Sequence, residues 1–249
     1  ERLADQNRGL ALLARGAQRL LEAADPESIL EDLFGELAAL LDMESFFHYR
    51  PTRDDPELLR LAIAGGVGQR ERLLFGTMRF GELLCGRVAE SRQALIIEDL
   101  QHSTQPGSDV LRGVGATTYA GFPMVVGGRL IGTLAFVSRR RTHLKEGSIE
   151  TVRTLCTQAA LAIERTRLQG SFRAIFENAA VGMAQVAPDG RWQAVNERLC
   201  EIVGYPRDEL LTRRVADITH PEDLTDSLAH ADALLAGRVK RYALDKRFV

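Results

Sequence analysis

Residues 119–138 read YAGFPMVVGGRLIGTLAFVS, two apolar, β-rich runs on either side of Gly127-Gly128. A glycine pair accepts the positive φ that a two-residue hairpin turn demands, so the stretch reads as two antiparallel strands. Outward from this hairpin the period changes on both sides. Upstream, residues 43–49 and 58–64 read as strands, the second closed by Gly65-Gly66. Residues 81–90 read as a short helix and 94–97 as an apolar strand. Downstream, a helical pattern runs over about 145–168, with Ile149, Val152, Cys156, Ala159, Ile163 and Thr166 on one face. Helix, antiparallel sheet, helix is an α+β order and not a repetition of βαβ units.

The first 23 residues repeat apolar positions at three- and four-residue steps: Leu3, Leu10, Leu13, Ala17, Leu20 and Ala24. Charged and amide side chains fill the rest, and so narrow a stripe suits a coiled-coil seam or a helix lying on a domain. Asp25-Pro26 restarts a helix, with proline in its first turn and Ile29, Leu33, Phe34, Leu37, Leu40 and Leu41 toward a core. A second unit begins near Gly170. There Phe172, Ile175 and Phe176 mark a short helix, 182–187 a strand, Pro188-Asp189-Gly190-Arg191 a turn and 192–195 the partner strand. Asn196 caps a helix carrying Leu199, Ile202 and Val203, which Gly204 stops. His220-Pro221 opens another helix that ends at Gly237, and residues 241–249 alternate as a strand. The expected division is an N-terminal amphipathic helix over 1–24, one domain over 25–168 and a second over 169–249, joined directly through a helix.

Composition bounds the function classes. The 249 residues are 45% hydrophobic with a net charge of −2, enough apolar content for a core and too little clustered positive charge for a phosphate-neutralising protein. Nucleic acid is therefore excluded as a partner. Cys85, Cys156 and Cys200 are distant and form no CxxC pair, which argues against a disulfide framework or structural zinc and for a reducing, cytoplasmic setting. No apolar run approaches the roughly 20 residues of a membrane span. The chain opens on Glu1 and not on Met, and so reads as a piece of something longer.

Residues 25–168 resemble a GAF domain: the hairpin, the upstream LLCGRVAESRQALIIEDL and the closing SIETVRTLCTQAALAIERTRL match that family's wording. Residues 171–249 resemble a PAS domain of the sensory-box type, in FENAAVGMAQVAPDGRWQAVNERLCEIVGYPRDELL, ITHPEDL and RYALDKRFV. That family's sheet has five strands, and this sequence stops in the third, so the last two are expected to be missing. The resemblance implies a sensor segment of a bacterial signalling protein, with a C-terminal output domain in the same chain. A histidine kinase of a two-component phosphorelay is the first expectation. A diguanylate cyclase or phosphodiesterase is the alternative, and a ligand-free dimerisation scaffold a third reading.

No catalytic motif appears: there is no Walker loop, GxSxG elbow, HExxH or zinc-deaminase pattern, and no phospho-accepting histidine helix, ATP lid or GGDEF stretch. The chain itself is read as non-catalytic. The GAF resemblance implies a pocket between the sheet and its covering connections. Its candidates are Phe46, Cys85, Ile97, His102, Tyr119, Phe122, Met124 and Phe136, most of them apolar strand residues that are core by default. The PAS resemblance implies a second pocket at Met183, Val186, Asn196, Leu199, Val203 and Ile218. His102 lies in the aperiodic segment 101–112 and is the polar candidate for haem iron or a tetrapyrrole. A lone histidine without a second ligand weighs against haem. Cys85, in a mostly apolar segment without a Cys-His pair, weighs against a covalent bilin. Leu144 stands roughly where the cyclic-nucleotide GAF pattern has phenylalanine. Val215 occupies the reactive-cysteine place of light-sensing PAS domains, which excludes cysteinyl-flavin chemistry. His230 and Trp192 read as a solvated helix residue and a core cover, and Arg139-Arg140-Arg141 as a solvated hairpin end. The ligand, if any, is not named by the sequence. The two narrow-striped helices, at the N-terminus and between the domains, are expected to pair across a twofold as a homodimer.

Overall fold

The computed structural model describes residues 2–144 and 147–249, with the side chains of 2–6 left aside. The expected helix starts at residues 1 and 145, and the Leu3 position of the first stripe, lie outside what is described. The chain falls into two compact units, one up to Leu168 and one from Gln169.

The first unit opens with α1 (Arg2–Glu22), a 3-10 turn (Pro26–Ile29) and α2 (Leu30–Leu41). Strands β1 (Ser45–Pro51) and β2 (Leu58–Gly65) follow, then α3 (Gln69–Leu74), β3 (Thr77–Arg79), α4 (Leu83–Ser91) and β4 (Leu95–Ile97). A short turn (Leu100–His102) and α5 (Asp109–Gly113) lead to β5 (Thr118–Val126), β6 (Arg129–Ser138) and α6 (Ser148–Glu177). The six strands form one antiparallel sheet in the order β3-β2-β1-β6-β5-β4. At its centre Val126 pairs with Arg129 across Gly127 (φ 55°) and Gly128 (φ 80°), the conformation that glycine adopts without steric cost.

Side chains alternate across a strand, so this sheet feeds two separate cores. Phe46, Phe122, Met124, Leu134 and Phe136 point to one face and pack with Phe34 and Leu37 of α2 and Val152 and Leu155 of α6. Phe47, Tyr49, Leu59, Tyr119, Ala135 and Val137 point to the other, under Leu84, Cys85 and Val88 of α4. The Phe46 ring lies over its cross-strand partner Gly65, where a Cβ would overlap it.

Helix α1 packs on its own unit through a face rotated from the stripe its hydropathy marks. Among its described side chains the buried positions are Gly9, Leu12, Gly16 and Leu20, while Leu10 is 64% exposed. Gly9 meets Thr151, and Gly16 meets Leu155 and Leu33. Two glycines seven residues apart let α1 approach α6 and α2 closely, and glycine carries no apolar signal in a sequence. Arg19 pairs with Glu36 at 2.9 Å and Asp32 at 3.4 Å. Arg165 donates to the carbonyls of Leu20 and Leu21, each at 3.3 Å, covering the bare C-terminal end of α1.

The second unit holds a two-stranded sheet of β7 (Ala184–Val186) and β8 (Trp192–Val195). Helices α7 (Glu197–Val203), α8 (Arg207–Leu210) and α9 (Pro221–Leu235) follow, with a 3-10 turn (Val215–Ile218). Its core is Trp192, Val195, Leu199, Cys200, Leu210 and Ile218. Two expectations are corrected here. Residues 172–176 are no separate short helix but the end of α6, because one interior glycine (Gly170) costs a helix only about 1 kcal/mol. Residues 241–249 form no strand; only Phe248 bridges to Thr219, and alternation without a neighbouring strand is not sufficient for a ladder.

Substituting Gly65→Ala is expected to cost about 1–3 kcal/mol through overpacking against Phe46. Denaturant unfolding of the variant alone and combined with Phe46→Leu checks this: the second substitution should recover part of the loss.

Candidate functional site

Between the sheet and the segments covering its second face lies a cavity of about 20 Å³, room for roughly one water. The sheet supplies Phe47 and Tyr49 from β1, Met78 from β3, Tyr119 from β5 and Val137 from β6. Leu83, Leu84 and Cys85 of α4 and Phe75 close one side, and Gly107, Val110 and Leu111 form a roof. The roof is tied down locally: Gln101 donates to the Ala116 carbonyl at 2.6 Å, the Ala116 amide donates to Leu111 O at 3.0 Å, and Arg112 bonds Ser103 O and Asp109. Leu83 sits in the left-handed region at φ 49°, and the place of a Gly107 Cβ lies 3.0 Å from its backbone. A bulky residue there costs about 1–3 kcal/mol.

The cavity wall is neutral. Tyr49 Oη donates to Phe75 O at 2.9 Å, and Tyr119 Oη to Cys85 Sγ at 3.3 Å. Burial pushes both phenols up and holds them protonated at every ordinary pH. Burial also pushes the Cys85 thiol up to about 12, against a smaller opposing effect from the Tyr119 hydroxyl, so Cys85 is a small buried hydrophobe and not a nucleophile.

Of the eight first-domain candidates, Cys85 and Tyr119 line this cavity. Ile97 belongs to the same core without lining it. Phe46, Phe122, Met124 and Phe136 lie on the opposite face against the helices, because each stands one residue out of phase with Tyr119, Val137 or Phe47. His102 is at the surface, its side chain 84% exposed and its Nδ1 2.9 Å from Asp99 Oδ1. Sequence reasoning passed over Phe47, Tyr49, Phe75, Met78, Leu83, Leu84, Val137 and the roof. The period of two gives Phe47 and Tyr49 a common face of β1, and the pairing of Phe47 with Ala135 of β6 makes it the cavity face.

In the second unit Asn196 is buried and spends its whole amide on structure. Its Nδ2 donates to Phe176 O (2.9 Å) and Val181 O (3.0 Å), and its Oδ1 accepts from Met183 N (2.8 Å) and Leu199 N (2.9 Å). Leu199 and Ile218 are core with Val203 packed against them, whereas Met183 and Val186 are 36% and 42% exposed. His230 is exposed, with Nδ1 2.7 Å from Asp226 O. Among the described residues no group of three His, Cys, Asp or Glu side chains is placed to hold a metal ion.

The arginine run 139–141 is not an anion cradle, since each member has its own carboxylate. Arg139 pairs with Glu71 at 3.2 Å, Arg140 with Glu44 at 2.6 Å, and Arg141 with Asp42. His48 is the other notable polar group. It is wholly buried against Phe34 and donates from Nδ1 to Thr133 O at 3.1 Å, while Nε2 has no partner. Burial lowers its pKa to about 4, with the Thr133 carbonyl opposing and Arg50 assisting.

The GAF domain family matches residues 23–164 and the PAS fold matches 170–241. Over 92 residues the chain is 35% identical to the Escherichia coli K12 protein named "Probable diguanylate cyclase DgcE". That match covers 36% of this chain but only 8% of the relative. Among solved structures, the GAF domain of a phosphoenolpyruvate-protein phosphotransferase from Coxiella burnetii superposes with TM-score 0.56 at 20% identity, over 66% of this chain and 97% of that one. The free methionine-R-sulfoxide reductase of Neisseria meningitidis superposes with TM-score 0.54 at 16% identity, over 64% and 89%. Both likenesses are of fold alone.

Two outcomes are expected. The unfolded chain holds a proton on His48 below about pH 6.5 and the folded chain only below about 4. Stability is therefore full above pH 6.5 and falls by up to about 3 kcal/mol as pH drops to 4; urea midpoints across that window should flatten in His48→Gln. Cys85 and Cys156, both with thiols pushed up to about 12 by burial, should resist a thiol reagent at pH 8 until the protein is unfolded.

Proposed function

The chain belongs to the GAF domain family, and on that footing we propose that it is the sensory input segment of a larger signalling protein. In this reading 1–24 is an amphipathic dimerisation and signalling helix, 25–168 the GAF domain and 169–249 the PAS domain. The observation that carries it is the adjacency of two sensory families over 23–164 and 170–241. The GAF cavity is the receptor site, and its occupancy alters how the roof and α4 pack on the sheet. A cytoplasmic location goes with this reading, and the three free, buried thiols support it. Among the described residues no helix is long and apolar enough to cross a membrane.

For the output we favour a diguanylate cyclase in the same polypeptide, because the stretch of 35% identity belongs to a protein so named. The kinase output implied by the family resemblance has no comparable observation behind it. Transmission is assigned to helices pairing across a homodimer. In support, α6 exposes Leu161, Leu168, Phe172 and Ile175, between 52% and 69% each. Their steps of seven, four and three keep them on one coiled-coil seam, and α1 exposes Leu10 and Leu21.

The full-length protein is expected to make cyclic di-GMP from GTP and not to label itself from ATP; the reverse pair of results would restore the kinase output. Light scattering of this chain at tens of micromolar should give a dimer, and Leu168→Glu with Ile175→Glu a monomer. A monomeric parent would remove the seam from the reading.

A further inference from the structure

The cavity's wall says what kind of molecule it takes. No Lys, Arg, His, Asp or Glu side chain lines it. An ion buried there would have no counter-charge, and an unpaired buried charge is among the most costly arrangements in a protein. The two phenols at the wall are already engaged, with Phe75 O and Cys85 Sγ. One polar group beside it is not engaged. Ser108 does not itself line the cavity as it stands but lies in the roof between Gly107 and Val110, both of which do, so that a displaced roof brings it to the ligand. It is 0% exposed, its hydroxyl has no hydrogen-bond partner, and it makes no side-chain cap to α5. Its backbone is spoken for, since its amide donates to Gln105 O at 3.2 Å and its carbonyl accepts from Arg112 N at 2.9 Å. A buried hydroxyl left unmatched inside an otherwise satisfied roof asks for a partner.

Resting on the reading of this cavity as the receptor site, we propose that its ligand is a small, uncharged, largely apolar molecule with a single hydrogen-bonding group, which Ser108 engages. Nucleotides, carboxylates and other anions are outside that class. At about 20 Å³ the cavity as it stands admits little more than a water, so a ring-sized ligand enters by displacing the roof at Gly107, Val110 and Leu111. Because Gly107 packs on the left-handed backbone of Leu83, that displacement also frees the first residue of α4.

The test uses the whole chain and three probes with one ring in common: benzene, phenol and benzoate. Binding is followed by calorimetry and by methionine methyl NMR. Met78 lines the cavity, Met43 and Met124 pack on the far face of the sheet, and Met183 lies in the second unit. Phenol is expected to shift the Met78 methyl alone, with benzoate at least tenfold weaker. Ser108→Ala should weaken phenol about fivefold, the equivalent of one hydrogen bond, and leave benzene unchanged. Removing an unpartnered hydroxyl does not threaten the fold, and an unchanged melting temperature verifies that. Benzoate binding as tightly as phenol, with Met78 responding, would overturn the ligand class and leave the receptor reading standing. A charged metabolite retained in native mass spectrometry with its contacts at Met78 would do the same. Phenol shifting no methyl, with nothing retained by the purified full-length protein, would overturn both.

Discussion

The two-residue turn at Gly127-Gly128 and the one-residue register shift between Met124 and Val125 together set how β5 lies on β6, and a further slip of one residue would send a strand's side chains to the wrong face. Val126 stands opposite Arg129, and the one-residue shift between Met124 and Val125 then brings Tyr119 opposite Val137 and Phe122 opposite Leu134. That phase gives Phe122, Met124, Leu134 and Phe136 to the helices α2 and α6, and Tyr119, Ala135 and Val137 to the side of α4. β1 takes its phase from β6, with Phe46 against Phe136 and Phe47 against Ala135. The first unit therefore has one face devoted to helix packing and one to the cavity, and both follow from the shift at Met124–Val125 together with a turn that only residues tolerant of positive φ can make.

Division of labour between the faces explains their different chemistry. The helix face holds His48 in its neutral form by burial, against Phe34 and under α2. The cavity face holds phenols and a thiol in their neutral forms for the same reason. Charge is confined to the perimeter, where Arg139, Arg140 and Arg141 meet acids from α3 and from the α2–β1 connection. Those pairs are exposed and contribute little to stability individually, but they occupy the arginines that would otherwise invite an anion.

What the sequence made legible was local. The hairpin, the cap at Asn196 and the strand periods before residue 196 depend on neighbours within a few residues, and the corresponding elements lie within about two residues of the ranges those periods predict. The face of α1 was not legible, because Gly9 and Gly16 act by letting Leu155, Leu33 and Thr151 come close, and a missing side chain leaves no hydropathy mark. The extent of α6 past Gly170 was hidden by taking one glycine as a boundary. Of the candidate site, Cys85 and Tyr119 were named from the family resemblance, but the cavity gathers residues from six separate segments, and nothing in a linear string brings Met78 to Leu111. His102 draws notice for its chemistry and its aperiodic segment, and the structure places it at the surface beside Asp99.

Asn196 joins four backbone groups that arrive from different places: the end of α6, the turn behind it, the start of β7 and the first turn of α7. One side-chain amide thereby measures the distance between the last turn of α6 and the first strand of the second unit. The connection over 178–182 is accordingly fixed in length. An inserted or deleted residue would pull either Phe176 O or Met183 N out of reach, whereas the tract beyond Gly237, held mainly near Arg247 and Phe248, tolerates additions. Among natural variants of this chain, length changes should accumulate in that tract and be absent from the short connection.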